Sequence, residues 1–228
     1  MNRWTAERWA AASGVAFTIL FVIANVITGT PPHYNASPDK IGNYLHDHHR
    51  SLTIQALLAG VIVVLFLWFL SSFAGFFREA GQRRLAMIML GAGVATVTLA
   101  AAGDALVIAS ARLNEFEGPG AASAFYAVSA FFYIKLFWAA AALAFATALA
   151  TYRSGLFAQW FAGLSAVGAV LFVLTGCAMR EHGFFSPAGA LPWIGFVGFA
   201  LWVLVSSALL VQKLAPAGTA TPAAAPAT

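Results

Sequence analysis

The fold is decided by two apolar runs that follow each other in the chain. They read LAMIMLGAGVATVTLAAAGDALVIASA at residues 85–111 and SAFYAVSAFFYIKLFWAAAALAFATALATY at residues 123–152. Each run exceeds the roughly 20 residues that a helix needs to cross the hydrocarbon core of a bilayer. Because lipid offers no partners to backbone polar groups, both runs are predicted to be membrane-spanning helices, joined as an antiparallel hairpin. Each run holds one charged residue, Asp104 in the first and Lys135 in the second.

Apolar runs of this kind continue along the chain. Hydrophobic residues make up 61% of the 228 residues and charged residues only 9%, whereas a soluble domain carries about 25% charged residues. We therefore predict an all-α fold, with one membrane domain at residues 1–214 that is a bundle of six transmembrane helices. A tail at residues 215–228, on the cytoplasmic side, is predicted to be disordered. The predicted spans are residues 9–28, 52–77, 85–111, 123–152, 156–179 and 191–212.

The basic residues distinguish the two sides of the predicted bundle. Seven lie on the side of the N-terminus: Arg3, Arg8, Arg78, Arg83, Arg84, Arg153 and Lys213. Four lie on the opposite side: Lys40, Arg50, Arg112 and Arg180. The positive-inside rule then places both termini in the cytoplasm. The net charge of +4 comes from helix ends and forms no basic patch, so nucleic acid is not an expected partner.

The first loop on the outer side predicts a short helix. Ser37 is a suitable N-cap, Pro38 suits the first helical position, and Asp39 places an acid in the first turn. The spacing i, i+3, i+4 and i+7 gives this helix one face, which carries Ile41, Tyr44, Leu45 and His48. An amphipathic helix capping the bundle is the prediction, and a structured loop without a task is the alternative.

Histidines at the end of this segment suggest a metal site. His46 and His49 are spaced i, i+3, Asp47 lies between them, and His182 could approach from the last outer loop. The alternative is that these histidines simply occupy a wet interface, since no strict metal-binding motif is present. No cofactor is predicted: no histidine lies in a predicted span to ligate haem, and Cys177 is the single cysteine, which excludes intrachain disulfides.

The two charges within the hairpin are the sharpest functional signal. A charge near the middle of a membrane costs about 2.5–3.5 kcal/mol, so each charge needs a partner or a wet cavity. Counted from Arg112, Asp104 lies about 12 Å inside the outer boundary, and counted from Ser123, Lys135 lies about 18 Å inside. Helical side chains slant toward their own N-terminus, so the two groups are expected to converge on a direct or water-bridged ion pair. Asn25 in the first span could join this polar site.

Several interpretations of this pair stay open. It could be a buried bridge that sets the register of two helices, or Lys135 could instead rest on the rings of its own helix. A working site would bind or pass a small solute or ion through the bundle. Asp104 could also serve as the general acid of a membrane-embedded enzyme acting on a lipid or isoprenoid-like substrate. A structural or accessory subunit is the remaining hypothesis; beyond the lipid bilayer, the sequence predicts no particular protein partner.

Several motifs resemble one broad group of proteins. They are Thr30-Pro31-Pro32, Ser37-Pro38-Asp39-Lys40-Ile41 with Tyr44, Leu67-Trp68-Phe69-Leu70 before a basic turn, and Leu201-Trp202-Val203-Leu204. They resemble a family of six-span bacterial membrane proteins of unknown function that is common in actinobacteria, and the resemblance covers most of residues 9–214. It implies a location in the bacterial plasma membrane. The resemblance implies the fold and no activity, so it assigns no catalytic residue.

Overall fold

The chain folds into helices throughout its described part. The computed structural model describes the backbone of residues 3–214 and the side chains of residues 6–214. The helices are α1 (Arg3–Ile27), α2 (Pro38–Asp47), α3 (His49–Glu79), α4 (Arg83–Phe116), α5 (Pro119–Ser154), α6 (Gln159–Gly176) and α7 (Ala190–Lys213). All except α2 are long and apolar enough to cross a membrane, which confirms the predicted all-α bundle with six spans. The predicted tail at 215–228 lies outside the described residues.

The six long helices form a ring in the order of the chain. α1 packs against α3, each following long helix packs against the next, and α7 returns to α1. Hydroxyl groups fasten α1 on both sides: Ser13 Oγ donates to Leu65 O of α3 at 2.9 Å, and Ser207 Oγ of α7 donates to Ala11 O at 2.5 Å. Because lipid gives little hydrophobic drive for helices to associate, close packing and such hydrogen bonds hold the ring together.

Aromatic side chains fill the space that the ring encloses. On α3 a single face carries four completely buried rings, those of Phe66, Phe69, Phe73 and Phe77. Phe66 lies 5.2 Å, between ring centroids, from Phe17 of α1 and 5.8 Å from Phe199 of α7. Tilted and edge-to-face contacts of this kind stabilise a core beyond the area that they bury. These phenylalanines and their neighbours are called the aromatic core below.

The predicted loop between α4 and α5 is almost entirely helical. Residues 112–122 were expected to be irregular, yet α4 continues to Phe116 and α5 begins at Pro119. Gly118 makes the turn with a φ of 81°, a conformation that favours glycine, and Pro119 occupies a first helical position that proline suits. Within the extended α4, Arg112 pairs with Glu115 one turn later at 3.4 Å. The hairpin is therefore longer than the apolar runs alone predict.

The predicted amphipathic helix is confirmed as α2. It spans Pro38–Asp47 after Ser37, and Ile41 and Leu45 are buried on its inner face. Together with buried residues of α3, α4 and α5 they form a second hydrophobic cluster, separate from the aromatic core: Ile41, Leu45, Leu52, Ala111, Ala122 and Tyr126. Asn114 of α4 also donates from Nδ2 to Gly42 O at 3.0 Å. We call α2 and this cluster the α2 cap.

Helix α6 is too short to reach the α2 cap. Its 18 residues span about 27 Å at 1.5 Å per residue, and it ends at Gly176, whose carbonyl oxygen accepts a hydrogen bond from Trp138 Nε1 at 3.0 Å. On α5, residues 119–137 continue beyond Trp138 for about 28 Å at the same rise. Residues 177–189 after α6 are irregular and contain Arg180, and lipid-exposed irregular backbone does not occur within the hydrocarbon region.

Gly176, the last residue of α6, therefore lies level with Trp138 of α5. Ile134 of α5, Ala178 of the loop and Leu191 of α7 pack together at this level. The first half of α5 and the α2 cap extend beyond the level at which α6 ends. Lys135 precedes Trp138 by one helical turn, and Asp104 contacts Tyr133, so Asp104 and Lys135 both lie near this level.

Two glycines of α4 offer a matched test of the packing between α3 and α4. A Cβ at Gly93 would lie 2.8 Å from Leu70 Cδ1, a completely buried side chain of α3, whereas a Cβ at Gly91 would meet nothing within 4 Å. We expect Gly93→Ala to lower the melting temperature of the purified protein in detergent. Gly91→Ala should leave it unchanged or raise it, because alanine favours a helix by about 1 kcal/mol over glycine. Equal melting temperatures for the two variants would contradict this packing.

Candidate functional site

Asp104 meets a tyrosine where α4 and α5 come closest. The hydroxyl group of Tyr133 donates to Asp104 Oδ1 at 2.5 Å, and both side chains are partly buried. Gly103 permits this approach, because a Cβ there would lie 3.0 Å from the Tyr133 ring. The absence of a side chain on Gly103 thus lets the phenol of α5 reach the carboxyl group of α4.

The Tyr133 ring also links this pair to the aromatic core. Its centroid lies 6.4 Å from that of Phe196 on α7. Phe196 in turn lies 4.9 Å from Phe137 and 6.2 Å from Phe21 of α1. Asp104 is therefore held at the edge of the aromatic core, on the side of the α2 cap.

Asp104 does not form the expected pair with Lys135. Tyr133 and Lys135 are two residues apart on one helix, so their side chains point about 200° apart around its axis. Lys135 is exposed, and its Nζ lies 3.9 Å from Met179 Sδ. Among the described residues, Asp104 has no ion pair within 4.0 Å. Similar depth along the helices is therefore not enough to bring the two charges together, because Lys135 faces a different direction around the axis of α5.

Asn25 makes its side-chain hydrogen bond within its own helix and not to Asp104. It is partly buried, and its Nδ2 donates to Phe21 O of its own helix at 2.8 Å. Of the three predicted polar residues, the structure thus places only Asp104 in the site and adds Tyr133, which the sequence reading missed. The available signal was the i, i+7 spacing of Tyr126 and Tyr133, which places two phenols on one face of α5.

Tyrosines also fasten the α2 cap over the site. Tyr126 donates from its hydroxyl group to Pro32 O, and Tyr44 donates to Thr28 O, both at 3.1 Å. Their rings lie 6.4 Å apart, and Tyr44 stacks on His48 at 4.5 Å. Burial raises the pKa of the Tyr44 phenol above its ordinary value, so it stays a neutral donor at physiological pH. These bonds hold the loop after α1 and the α2 helix in place.

The predicted metal ligands do not converge. His49 Nε2 lies 3.3 Å from Glu115 Oε1, whereas His182 lies beside His33, with 6.0 Å between their ring centroids. His46 and Asp47 are exposed. In the described part of the chain, no three His, Cys, Asp or Glu residues cluster closely enough to hold a metal. His46 and His49 do not share one helical face, because α2 ends at Asp47 and a new helix begins at His49.

Comparisons with known proteins assign no role to these residues. Family models, curated proteins and solved structures gave no match to this chain. The resemblance to six-span bacterial membrane proteins therefore stays a prediction, and the site is interpreted from its own geometry.

Two tyrosines of α5, Tyr133 and Tyr152, provide a test of the hydrogen bond to Asp104. We expect Tyr133→Phe to destabilise the protein by about 1–3 kcal/mol, because it leaves a partly buried carboxyl group without its donor. Tyr152→Phe is the matched control, since Tyr152 is 70% exposed on the same helix. The measurement is thermal unfolding in detergent. If both variants have the melting temperature of the wild type, the hydrogen bond contributes nothing to stability.

The tyrosine of α2 tests how the cap is held. Tyr44→Phe removes the bond to Thr28 O, and a hydrogen bond of this kind contributes about 1 kcal/mol. We expect faster amide hydrogen exchange across α2 while the aromatic core keeps its protection. Tyr34→Phe serves as the control, because it retains the ring contact with Phe131. Unchanged exchange in α2 would contradict an anchoring role for Tyr44.

Proposed function

We propose that this multi-pass membrane protein binds a small solute or ion within its helix bundle, and that the ligand is a cation bound at Asp104. The observation that carries the proposal is the setting of Asp104, which is held against aromatic rings by the Tyr133 hydroxyl group. A carboxylate withdrawn from water needs a counter-charge or a proton. The described residues place no Lys, Arg or His within 4.0 Å of it, so a ligand can supply the positive charge.

The chemistry around Asp104 favours an ammonium ion as that ligand. The carboxyl group offers negative charge and hydrogen-bond acceptors, and the ring of its partner Tyr133 lies 6.4 Å, between centroids, from that of Phe196. A carboxylate beside aromatic rings suits a protonated amine, because the rings attract a cation and also pack against its carbon atoms. A small organic amine is therefore the preferred class, with alkali cations as the comparison.

The aromatic core supports binding in preference to passage through the bundle. Phe66, Phe137 and Phe172 are completely buried and occupy the space between Asp104 and the basic ends of the helices. A path for a solute would require these rings to separate. No observation described above favours an enzyme that acts on lipid or an accessory subunit.

The membrane location and the orientation belong to the same proposal. The excess of Lys and Arg at one end of the bundle supports cytoplasmic termini, and the resemblance to six-span bacterial proteins supports a bacterial plasma membrane. The exposed irregular loop after Gly176 supports an outer membrane boundary at the end of α6. In this orientation Asp104 lies on the outer side of the membrane, beneath the α2 cap. A ligand would then arrive from outside the cell.

Ligand-dependent melting tests the proposed site. Purified protein in detergent is heated with Na⁺, K⁺, or small primary and quaternary amines over a range of concentrations. We expect a saturable rise in melting temperature with at least one amine, since a ligand at 100 times its Kd stabilises by about 2.7 kcal/mol. Asp104→Asn should abolish the rise, and Asp47→Asn, a change at an exposed acid of α2, should preserve it. The same rise in Asp104→Asn would refute the site.

The single cysteine tests the orientation. Cys177 is exposed at the end of α6, level with the proposed outer boundary. We expect a membrane-impermeant maleimide to label it in intact cells, and Cys177→Ser to abolish the labelling. Labelling that requires permeabilised cells would reverse the proposed orientation and leave the helix bundle unaffected.

A further inference from the structure

Lys135 lies on the outside of the bundle at the membrane boundary. It is exposed on α5, one helical turn before Trp138, whose indole contacts the last residue of α6. Because α6 ends there, the adjoining surface of α5 has no α6 beside it. Lys135 thus occupies a notch between α5 and the loop at residues 177–189.

Within this notch Lys135 contacts no acidic side chain. Its Nζ lies 3.9 Å from Met179 Sδ, and a thioether is a weak, uncharged acceptor. The described residues place no Asp or Glu within 4.0 Å of Nζ. A lysine at the edge of lipid is stable when its ammonium group reaches an anion of the headgroup layer.

The surroundings of the notch match the headgroup layer of a bilayer. Trp138 and Trp193 are each 46% exposed, and Phe184 of the loop is 50% exposed. Tryptophan concentrates where the hydrocarbon meets the headgroups, because its ring is apolar and its N–H is polar. Arg180, which follows Met179, is also exposed and adds a second positive charge to this loop.

We propose that the notch is a binding site for an anionic phospholipid, with the Lys135 ammonium group bound to the lipid phosphate. Phosphate oxygens supply the charge-assisted acceptors that Met179 cannot. The acyl chains then lie against the exposed apolar surface of the bundle. The site faces lipid, whereas Asp104 faces the bundle interior, so this inference does not depend on the proposed cation site.

Native mass spectrometry of the purified protein tests this site. The protein in detergent is titrated with phosphatidylglycerol, and bound lipids are counted from the mass. We expect Lys135→Gln to weaken the binding of one lipid by about fivefold, the effect of one basic residue near a membrane surface. Lys135→Arg should retain the binding. Lys40→Gln and Lys213→Gln are matched controls at other exposed lysines and should bind like the wild type.

Two results would overturn the proposal. One is equal lipid binding by wild type and Lys135→Gln, when both melt at the same temperature. The other is displacement of the bound lipid by soluble glycerol phosphate at concentrations similar to that of the lipid, which would identify a site for a free phosphate. Asp104→Asn should leave lipid binding unchanged, so failure of the cation site and failure of the lipid site give different results.

Discussion

The difference in length between α5 and α6 is the constraint on which the arrangement of this protein depends. α5 has 36 residues and α6 has 18, yet both begin or end at the same basic side of the bundle. The polar loop after α6 favours a membrane boundary at that level, and the surplus half of α5 extends past it. That surplus supplies the surface on which α2 packs.

This arrangement divides the interior into two layers. One is the aromatic core among the six long helices, and the other is the small apolar cluster under α2. Asp104 and Tyr133 lie where the layers meet. A carboxyl group in the middle of the aromatic core would be far more expensive to bury, whereas at this junction Asp104 has a tyrosine donor.

Much of the fold could be predicted because its signals are local. Hydropathy located all six spans, and the sequence Ser37-Pro38-Asp39 located the start of α2. The end of α4 was missed because Arg112, Asn114 and Glu115 interrupt the apolar run, and the length of an apolar run predicts a membrane span and not the full length of its helix. The break at His48 between α2 and α3 was also not predicted, because no glycine or proline lies there to indicate a helix end.

The site was harder to predict because its signals are not local. Depth can be counted along a helix, but the direction in which Asp104 and Lys135 face depends on which helices pack together. Tyr133 became visible as a partner only once α4 and α5 were placed side by side, with Gly103 between them. A charge attracts notice in an apolar run, whereas a tyrosine among many aromatic residues does not.

The ring of helices also has a consequence for how the chain is made. The partners that α1 finds in α7 lie near the other end of the sequence, as in the bond from Thr18 Oγ1 to Ala200 O at 3.3 Å. During synthesis α1 enters the membrane long before α7 exists. The side of α1 that packs against α7 therefore lacks this partner until α7 has been synthesised, and the insertion of α7 closes the ring of helices.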